Sequence, residues 1–205
     1  MSATLPVFVV VFGNSANGKD TFADALARRL EGSGRGMALR CAFADPLKEA
    51  ARHLIGIPSC VSYGRAAVKE HTFFYAKTAR HWLQWLGTEI GRMQIHPDVW
   101  VHRLADRGLE ADSRYVVVSD GRFENERIGL REYLAGRGQV FNVLIHRPSA
   151  GIPCGPDVHQ SEAEVAAMRT QALLYPGSLF HAVVANTGTL ADLDREAERV
   201  ALLIP

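Results

Sequence analysis

A segment near the start of the chain has the residue types that bind phosphate groups. Its sequence is Gly13-Asn14-Ser15-Ala16-Asn17-Gly18-Lys19-Asp20-Thr21, between an apolar run and a helical pattern. Glycines allow backbone angles that turn successive N–H groups inward, and the following helix adds positive potential at its N-terminus. Lys19 supplies a mobile positive charge for the β- and γ-phosphates of a nucleotide. We therefore predict a phosphate loop, rather than a turn that only caps a helix, with contacts to ATP from Asn14, Ala16, Asn17, Gly18, Lys19, Asp20 and Thr21.

Acidic side chains beside this loop predict a magnesium site. Asp20 stands where phosphate loops usually have Ser or Thr. A carboxylate next to a triphosphate repels it unless a cation lies between them, so we interpret Asp20 as a direct or water-mediated Mg²⁺ ligand, assisted by Thr21. Asp120 ends a later apolar run and is expected at the same edge of a sheet. It could bind Mg²⁺ through water, accept a hydrogen bond from an acceptor's sugar, or cap the next turn.

The elements that must position these residues alternate between strands and helices. Continuous apolar runs predict buried strands over residues 7–12, 115–120 and 140–145, with further strands over 37–43 and 180–185. Helical spacing predicts helices over residues 21–30, 45–55, 79–93, 99–105, 161–174 and 190–203, whereas residues 59–77 have little pattern. Strands that alternate with helices favour a three-layer, doubly wound α/β fold with a parallel sheet.

Composition argues against several classes of protein. The 205 residues suit one sizeable core, and 23 Lys and Arg against 22 Asp and Glu give a net charge of +1. This balance offers no global field for nucleic acid or for an anionic membrane, so we expect neither as a partner. Cys41, Cys60 and Cys154 are widely spaced, which fits free thiols in the cytoplasm. The apolar opening over residues 5–12 runs straight into the glycine loop, so it is interpreted as a strand and not as a signal peptide or membrane span.

Four segments taken together resemble the deoxynucleoside monophosphate kinases of large bacteriophages. They are Gly18–Thr21, Ala44–Lys48, Arg80–Glu89 and Ser119–Glu126. More loosely, the chain is similar to other P-loop small-molecule kinases, such as dephospho-CoA and phosphomevalonate kinases. The resemblance implies a P-loop kinase fold in one domain over 1–205, with an acceptor-binding region at about 44–126. It also implies transfer of the γ-phosphoryl of ATP, with Mg²⁺, to a (deoxy)nucleoside monophosphate. Three prolines and two glycines over residues 148–156, followed by a helical pattern, predict an inserted helical lid at about 147–176 or, alternatively, a plain surface excursion.

Residues that bind the acceptor follow from this resemblance and from their own chemistry. Lys48 could hold the acceptor's phosphate and Asp45 could orient the acceptor or Mg²⁺, although an Asp helix cap with a solvated Lys is also consistent. Arg80 could bind a phosphate in bidentate geometry or form a surface ion pair. Trp100 could flank the acceptor or be buried. The full set of predicted acceptor contacts is Asp45, Leu47, Lys48, Arg80, Gln84, Gly87, Thr88, Trp100, Asp120, Arg122 and Glu126.

Cationic side chains are expected to neutralise the transferring phosphoryl group, since a phosphorylated acceptor needs no strong general base. The catalytic candidates are Lys19, Arg80, Arg122 and Arg147. Arg147 begins the predicted lid, and Arg169 within the lid is a further candidate. The segment His159–Glu162 resembles the lid sequence of the same family, with its Ser as an alternative helix cap. Asn186-Thr187-Gly188 is expected to contact the ATP adenine, unless it forms a simple turn.

Two other functions are consistent with the sequence. One is a kinase for a different phosphorylated metabolite, such as a coenzyme or isoprenoid precursor, although the Gly87-Thr88 turn and the Asp120–Glu126 loop favour a nucleotide. The other is a nucleotide switch without turnover, against which Lys19 and the neutral net charge argue. The base, the sugar and the oligomeric state, monomer or homodimer, have no signature in the sequence. A viral origin, implied by the resemblance, would place the protein in the host cytoplasm.

Overall fold

The computed structural model of the chain describes residues 4–151 and 158–205. Its strands are β1 (Val7–Phe12), β2 (Ala38–Cys41), β3 (Phe73–Phe74), β4 (Lys77–Thr78), β5 (Tyr115–Gly121), β6 (Gln139–His146) and β7 (Ala182–Ala185). Its α-helices are α1 (Lys19–Gly32), α2 (Ala44–Leu54), α3 (Ser59–Ser62), α4 (Ala66–His71), α5 (Ala79–Trp85), α6 (Val99–Glu110), α7 (Glu124–Tyr133), α8 (Gln160–Leu174) and α9 (Leu190–Ala201). A π-helix spans Leu86–Ile95 and a 3₁₀ turn spans Pro148–Ala150.

The described residues divide into two compact units. One unit comprises the chain up to Ala42 together with Ala105–Pro205, and the other is Phe43–Leu104. The first unit holds the phosphate loop, and the second holds most of the region that the sequence assigns to the acceptor. That both act as one kinase domain over 1–205 stays a prediction.

A five-stranded parallel sheet organises the first unit. The strand order is β2-β5-β1-β6-β7, so β1 lies at the centre between β5 and β6. Val7 pairs with Tyr115 on one side and with Gln139 on the other. All six residues of β1 are buried, as expected for a strand covered on both faces. Because the strands are parallel, the loops that follow β1, β5, β6 and β7 meet at the same edge of the sheet.

Helices form a layer on each face of this sheet. On one face, α1 and α9 pack against each other and against the side chains of Val7, Val9 and Val11. On the opposite face, Gly108 of α6 lies so close to the ring of Phe8 that a Cβ there would overlap it. The predicted three-layer α/β architecture with a parallel sheet is confirmed.

The second unit is mainly helical and has a small core of its own. Its buried apolar residues are Ala51, Ile57, Val61, Ala79 and Leu86. Strands β3 and β4 form a two-residue antiparallel hairpin. The single helix predicted over residues 79–93 is instead α5 followed by the π-helix, and the poorly patterned residues 59–77 contain α3, α4 and the hairpin. Because each of these elements is short, neither helical nor strand periodicity extends far enough along the sequence to be recognised.

The predicted buried strands are found within one residue at each end. The helix predicted over residues 161–174 is α8. Residues 152–157, which include Cys154 and part of the predicted lid, lie outside the described residues.

Cys41 and Cys60 are free thiols. Among the helices described, none combines the length and the apolar character needed to cross a bilayer.

Candidate functional site

The loop after β1 is shaped by two glycines that other parts of the unit approach closely. Gly18 has a φ of 91°, and a Cβ there would lie 2.6 Å from Nδ2 of Asn186. A Cβ at Gly13 would overlap the carbonyl oxygen of Ile145 on β6. Nδ2 of Asn186 also donates to the carbonyl oxygen of Asn17 over 3.0 Å. The neighbouring strands β6 and β7 therefore hold the loop in a conformation that only glycine allows at these positions.

Lys19 is largely buried at the start of α1, with 7% of its surface exposed. Its Nζ donates to the carbonyl oxygen of Asn14 over 2.8 Å. Burial, and next the positive charge of Arg122, lower the pKa of Lys19 to about 8, while three nearby carboxylates act in the opposite direction. Because burial disfavours the charged form of Lys19, an anionic ligand in contact with Nζ would stabilise that form.

A cleft of about 380 Å³ opens in front of this loop. The predicted cations Lys19, Arg122 and Arg147 line it together, although they lie on three different parts of the chain. Its full lining is Ser15, Ala16, Gly18, Lys19, Asp20, Thr21, Ser119, Asp120, Arg122 and Arg147. The cleft thus combines backbone N–H groups, cationic side chains and oxygen ligands, which is the set of groups that a magnesium nucleotide needs.

Glu162, in the first turn of α8, is a site residue that the sequence reasoning did not identify. Its Oε1 and Oε2 accept from the backbone N–H of Ser15 over 3.2 and 3.0 Å. Its Oε2 also accepts from Nδ2 of Asn14 over 2.9 Å, and its Oε1 forms a close ion pair with Arg122. The one signal in the sequence was the resemblance of His159–Glu162 to a lid sequence, which named no role for the carboxylate.

The start of α7 fixes the backbone that carries Arg122. Glu126 is buried, with 2% of its surface exposed. Its Oε2 accepts from the backbone N–H groups of Arg122 and Phe123 over 2.8 and 3.0 Å. This carboxylate therefore caps the first turn of α7 and orients the Arg122 backbone, while its predicted contact with an acceptor stays a prediction.

The two arginines considered for the lid have different surroundings. Arg147 is exposed and lines the cleft in front of the loop after β1. Arg169 is buried, with 8% of its surface exposed, and its Nη1 donates to the carbonyl oxygen of Gly151 over 3.0 Å. Arg169 thus braces the chain after β6, and its predicted contact with the phosphates stays a prediction. At the start of α8, the side chain of His159, rather than that of Ser161, caps the helix by accepting from the Ser161 backbone N–H.

A second cleft, of about 410 Å³, follows the end of β7. It is lined by Ala185, Asn186, Thr187, Gly188, Asp192, Leu193, Arg195 and Glu196. The side-chain amide of Asn186 is buried and engaged with the phosphate loop. The turn that follows therefore also lines this cleft, and its predicted contact with the ATP adenine stays a prediction.

In the second unit, two predicted acceptor-binding cations are engaged with neighbouring side chains. Nζ of Lys48 lies 3.7 Å from Oδ1 of Asp45 and 4.1 Å from the ring centre of Tyr63. Arg80 forms a close ion pair with Glu70, which agrees with the alternative interpretation of that residue. Such partly exposed pairs contribute little to stability, so they leave both cations available to a stronger anionic ligand.

Trp100 is buried against the π-helix, with 8% of its surface exposed. Its Nε1 donates to the carbonyl oxygen of Gly87 over 2.8 Å, and its ring lies against Gly91. Leu47 packs closely on Gly87 from α2. Trp100 therefore supports the π-helix from within, as its alternative interpretation stated, and contact with an acceptor stays a prediction. Gln84 is exposed on α5, and Thr88 is half-buried on the π-helix.

Comparisons with known proteins place this geometry in context. No protein-family model matches the chain. It is 30% identical over 177 residues to a protein of Acanthamoeba polyphaga mimivirus that is provisionally named deoxynucleotide monophosphate kinase, covering 80% of this chain and 84% of the relative. It is similar to the APS kinase of Mycobacterium tuberculosis, solved with AMPPNP and APS, with a TM-score of 0.49 and 15% identity over 97% of each chain. It is also similar to a gluconokinase from Sinorhizobium meliloti, with a TM-score of 0.46 and 19% identity over 97% of this chain and 93% of the other.

Proposed function

Because the chain belongs to the deoxynucleotide monophosphate kinase family, we propose that it transfers the γ-phosphoryl of ATP to a (deoxy)nucleoside monophosphate and releases the diphosphate. One observation carries the proposal. Lys19, Arg122 and Arg147 line one cleft in front of the glycine-containing loop that leads into the N-terminus of α1. Convergent positive groups of this kind stabilise a triphosphate and the charge that develops on the transferring phosphoryl group.

The chain's own residues divide the work of binding the donor. The backbone N–H groups of residues 13–19 would donate hydrogen bonds to the β- and γ-phosphates, with Lys19 between them. Arg122 and Arg147 would neutralise the oxygens of the γ-phosphoryl group as it moves, and the turn at 186–188 would line the adenine pocket. Exclusion of water by the α8 segment would keep the phosphoryl group from being hydrolysed.

Residues of the cleft also fit a magnesium ion. Asp20, Thr21 and Asp120 line it with carboxylate and hydroxyl oxygens, the donor type that Mg²⁺ prefers. When bound there, Mg²⁺ would neutralise phosphate charge and offset the repulsion between the triphosphate and Asp20.

The acceptor side of the proposal rests on the family. Asp45, Lys48 and Arg80 are the second unit's candidates for holding the acceptor, and Asp120 and Arg122 are those of the first unit. An acceptor that already carries a phosphate presents an ionised oxygen near neutral pH, so the residues need to orient it rather than deprotonate it. A kinase of another phosphorylated metabolite would use the same donor cleft, and it is the second candidate.

Turnover with a panel of acceptors tests the proposal. The protein is incubated with ATP, Mg²⁺ and each common deoxynucleoside or ribonucleoside monophosphate in turn, and ADP and diphosphate formation are measured. Lys19→Ala should abolish turnover, whereas Lys77→Ala, which removes an exposed lysine of the β4 hairpin, should leave it unchanged.

The pattern of outcomes separates the candidate functions. Turnover with one or a few deoxynucleotides, lost in Lys19→Ala, would establish the reaction and name the base. Turnover restricted to dephospho-CoA or phosphomevalonate would favour the second candidate. ATP binding with no turnover of any acceptor would refute the kinase proposal and favour a nucleotide switch.

A further inference from the structure

The Glu162 carboxylate occupies hydrogen-bond donors of the phosphate loop. It receives the Ser15 backbone N–H, the Asn14 side-chain amide and the Arg122 guanidinium. The carbonyl oxygen of Glu162 accepts a further hydrogen bond from Nδ2 of Asn14 over 2.9 Å. The first turn of α8 is thus attached to the loop through both its backbone and its side chain.

These donors are the kinds of group that bind phosphate in proteins. A loop N–H and a guanidinium bind carboxylate and phosphate oxygens in the same geometry. Ser15 and Arg122 both line the cleft assigned above to the ATP phosphates. A carboxylate and a phosphate group cannot share them, because the two anions would repel each other at hydrogen-bond distance.

We propose that Glu162 is a positioning residue whose carboxylate stands in for a phosphate group of ATP, so that nucleotide binding displaces it and transfers Arg122 from carboxylate to phosphate. The inference rests on the proposed use of this cleft for ATP. In the nucleotide-free chain the carboxylate holds the loop and Arg122 in place. On binding, its displacement frees the first turn of α8 from the loop, which couples that helix to occupancy of the cleft.

The charge state of Glu162 agrees with this role. Burial acts to raise its pKa, but hydrogen bonds from Ser15 and Asn14 and the charges of Arg122 and Lys19 outweigh burial and hold the pKa below its ordinary value. The side chain is therefore an anion at neutral pH, as a substitute for phosphate must be.

Affinity for ATP without an acceptor tests the proposal, using calorimetry with Mg²⁺ present. Glu162→Gln keeps the size of the side chain and removes its charge, so it should bind ATP at least about tenfold more tightly, equivalent to about 1.4 kcal/mol. Glu162→Asp retains the charge and should bind ATP like the original protein. Glu164→Gln is the matched control, because Glu164 lies on the same helix and accepts from the Glu124 backbone N–H rather than from the loop.

A merely structural role for Glu162 predicts the opposite result. If the carboxylate only stabilises the loop, Glu162→Gln should bind ATP equally or more weakly, and either outcome would overturn the proposal. In steady-state kinetics the KM for ATP should fall in Glu162→Gln without a parallel rise in kcat, since Arg122 is less firmly held. Tighter ATP binding by Glu162→Gln in a protein that phosphorylates no nucleotide would uphold this inference and refute the proposed reaction.

An independent observation in the second unit points to a transition-metal site. His96, Asp98 and His102 each offer a ligand atom, and these atoms lie within 4.8 Å of one another. The two imidazole ring centres are 5.2 Å apart. Two imidazoles bound to one tetrahedral ion at about 2.0–2.1 Å have ring centres roughly 5 Å apart, so the present spacing already suits a shared ion.

The ligand types and their placement narrow the choice of ion. His96 follows the π-helix, Asp98 precedes α6, and His102 lies one turn into α6. Nδ1 of His96 accepts from the backbone N–H of Asp98 over 3.1 Å, which fixes the orientation of this ring beside α6. Two imidazoles and one carboxylate suit Zn²⁺ with water as a fourth ligand, and they do not suit Mg²⁺. We infer a Zn²⁺ site that would clamp the π-helix to the start of α6.

Titration with Co²⁺, a spectroscopic substitute for Zn²⁺, tests this site on the full chain. One equivalent of Co²⁺ should produce the visible absorption of a tetrahedral complex, and Zn²⁺ should displace it. His102→Ala should abolish the absorption, whereas His71→Ala, which removes an exposed histidine of the same unit, should retain it. Absence of the band in the original protein, or its persistence in His102→Ala, would overturn the assignment.

Discussion

Binding of ATP should weaken steeply above pH 8 because of Lys19. In the nucleotide-free protein, burial and then the charge of Arg122 lower the pKa of Lys19 to about 8. Phosphate groups beside Nζ stabilise the ammonium form, so the pKa should return toward its ordinary value of 10.5 when ATP is bound. Between these two pKa values the complex holds a proton that the nucleotide-free protein has lost. Binding must then take up that proton from solution.

The size of the effect follows from the difference between the two pKa values. A pKa that returns from about 8 toward 10.5 corresponds to roughly 3 kcal/mol of ATP affinity lost between pH 8 and pH 10.5. From pH 7.5 to pH 9.5 the Kd should rise about twentyfold. For the same reason, the unfavourable contribution of Lys19 to folding is fully present below pH 8 and fades toward pH 10.5.

Calorimetry measures both the change in affinity and the uptake of protons. ATP is titrated at pH 7.5 and at pH 9.5 in two buffers with different ionisation enthalpies, which gives the number of protons taken up. Lys19→Arg is the control, because a guanidinium stays charged throughout this range and should show no such pH dependence. An unchanged Kd with no proton uptake, or the same pH dependence in Lys19→Arg, would refute the reasoning.

Three further substitutions test the loop, the core and the second unit. Gly18→Ala should weaken ATP binding by tenfold or more, because a Cβ at a φ of 91° is strained and would overlap the side-chain amide of Asn186. Gly32→Ala is the control, because a Cβ there meets open space, and this variant should bind ATP normally in the same assay. Leu26→Ala, at a fully buried position, should lower the free energy of unfolding in urea by about 2–5 kcal/mol, and Leu202→Ala, with 80% exposed, by less than about 0.5 kcal/mol. Trp100→Phe removes the indole N–H that donates to the buried carbonyl oxygen of Gly87, so it should lower the free energy of unfolding in urea by about 1–3 kcal/mol. An unchanged free energy of unfolding would contradict the packing described.

The strands and the phosphate loop could be predicted because their signals are local. Each of the three buried strands is mostly apolar, and its predicted bounds lie within one residue of those found. Gly18 and Lys19 lie next to each other between a strand and a helix, and that local order is enough to predict a phosphate loop. Convergence of Asp120 and Arg147 on the same cleft could also be expected, since parallel strands end at one edge of the sheet.

The short elements of the second unit could not be predicted in the same way. The segment over residues 59–77 holds helices of four and six residues and a two-residue hairpin, each too short to establish a period. The widened turns of the π-helix replace the expected α-helix where Gly87 and Gly91 let Leu47 and Trp100 approach the backbone. Tertiary packing, rather than helix propensity, decided that geometry.

By itself, the sequence determined the fold class, the phosphate loop and most of the residues that line the donor cleft, because each depends on neighbouring residues or on the alternation of strands and helices. Only the tertiary structure decided that Glu162 reaches the loop, since its carboxylate meets Ser15 across 147 residues of chain. It likewise turned Arg169 toward Gly151 and left Arg147 on the cleft. Contacts between distant segments leave no spacing or period in a single sequence, so the partners of a charged side chain appear only when the chain has folded.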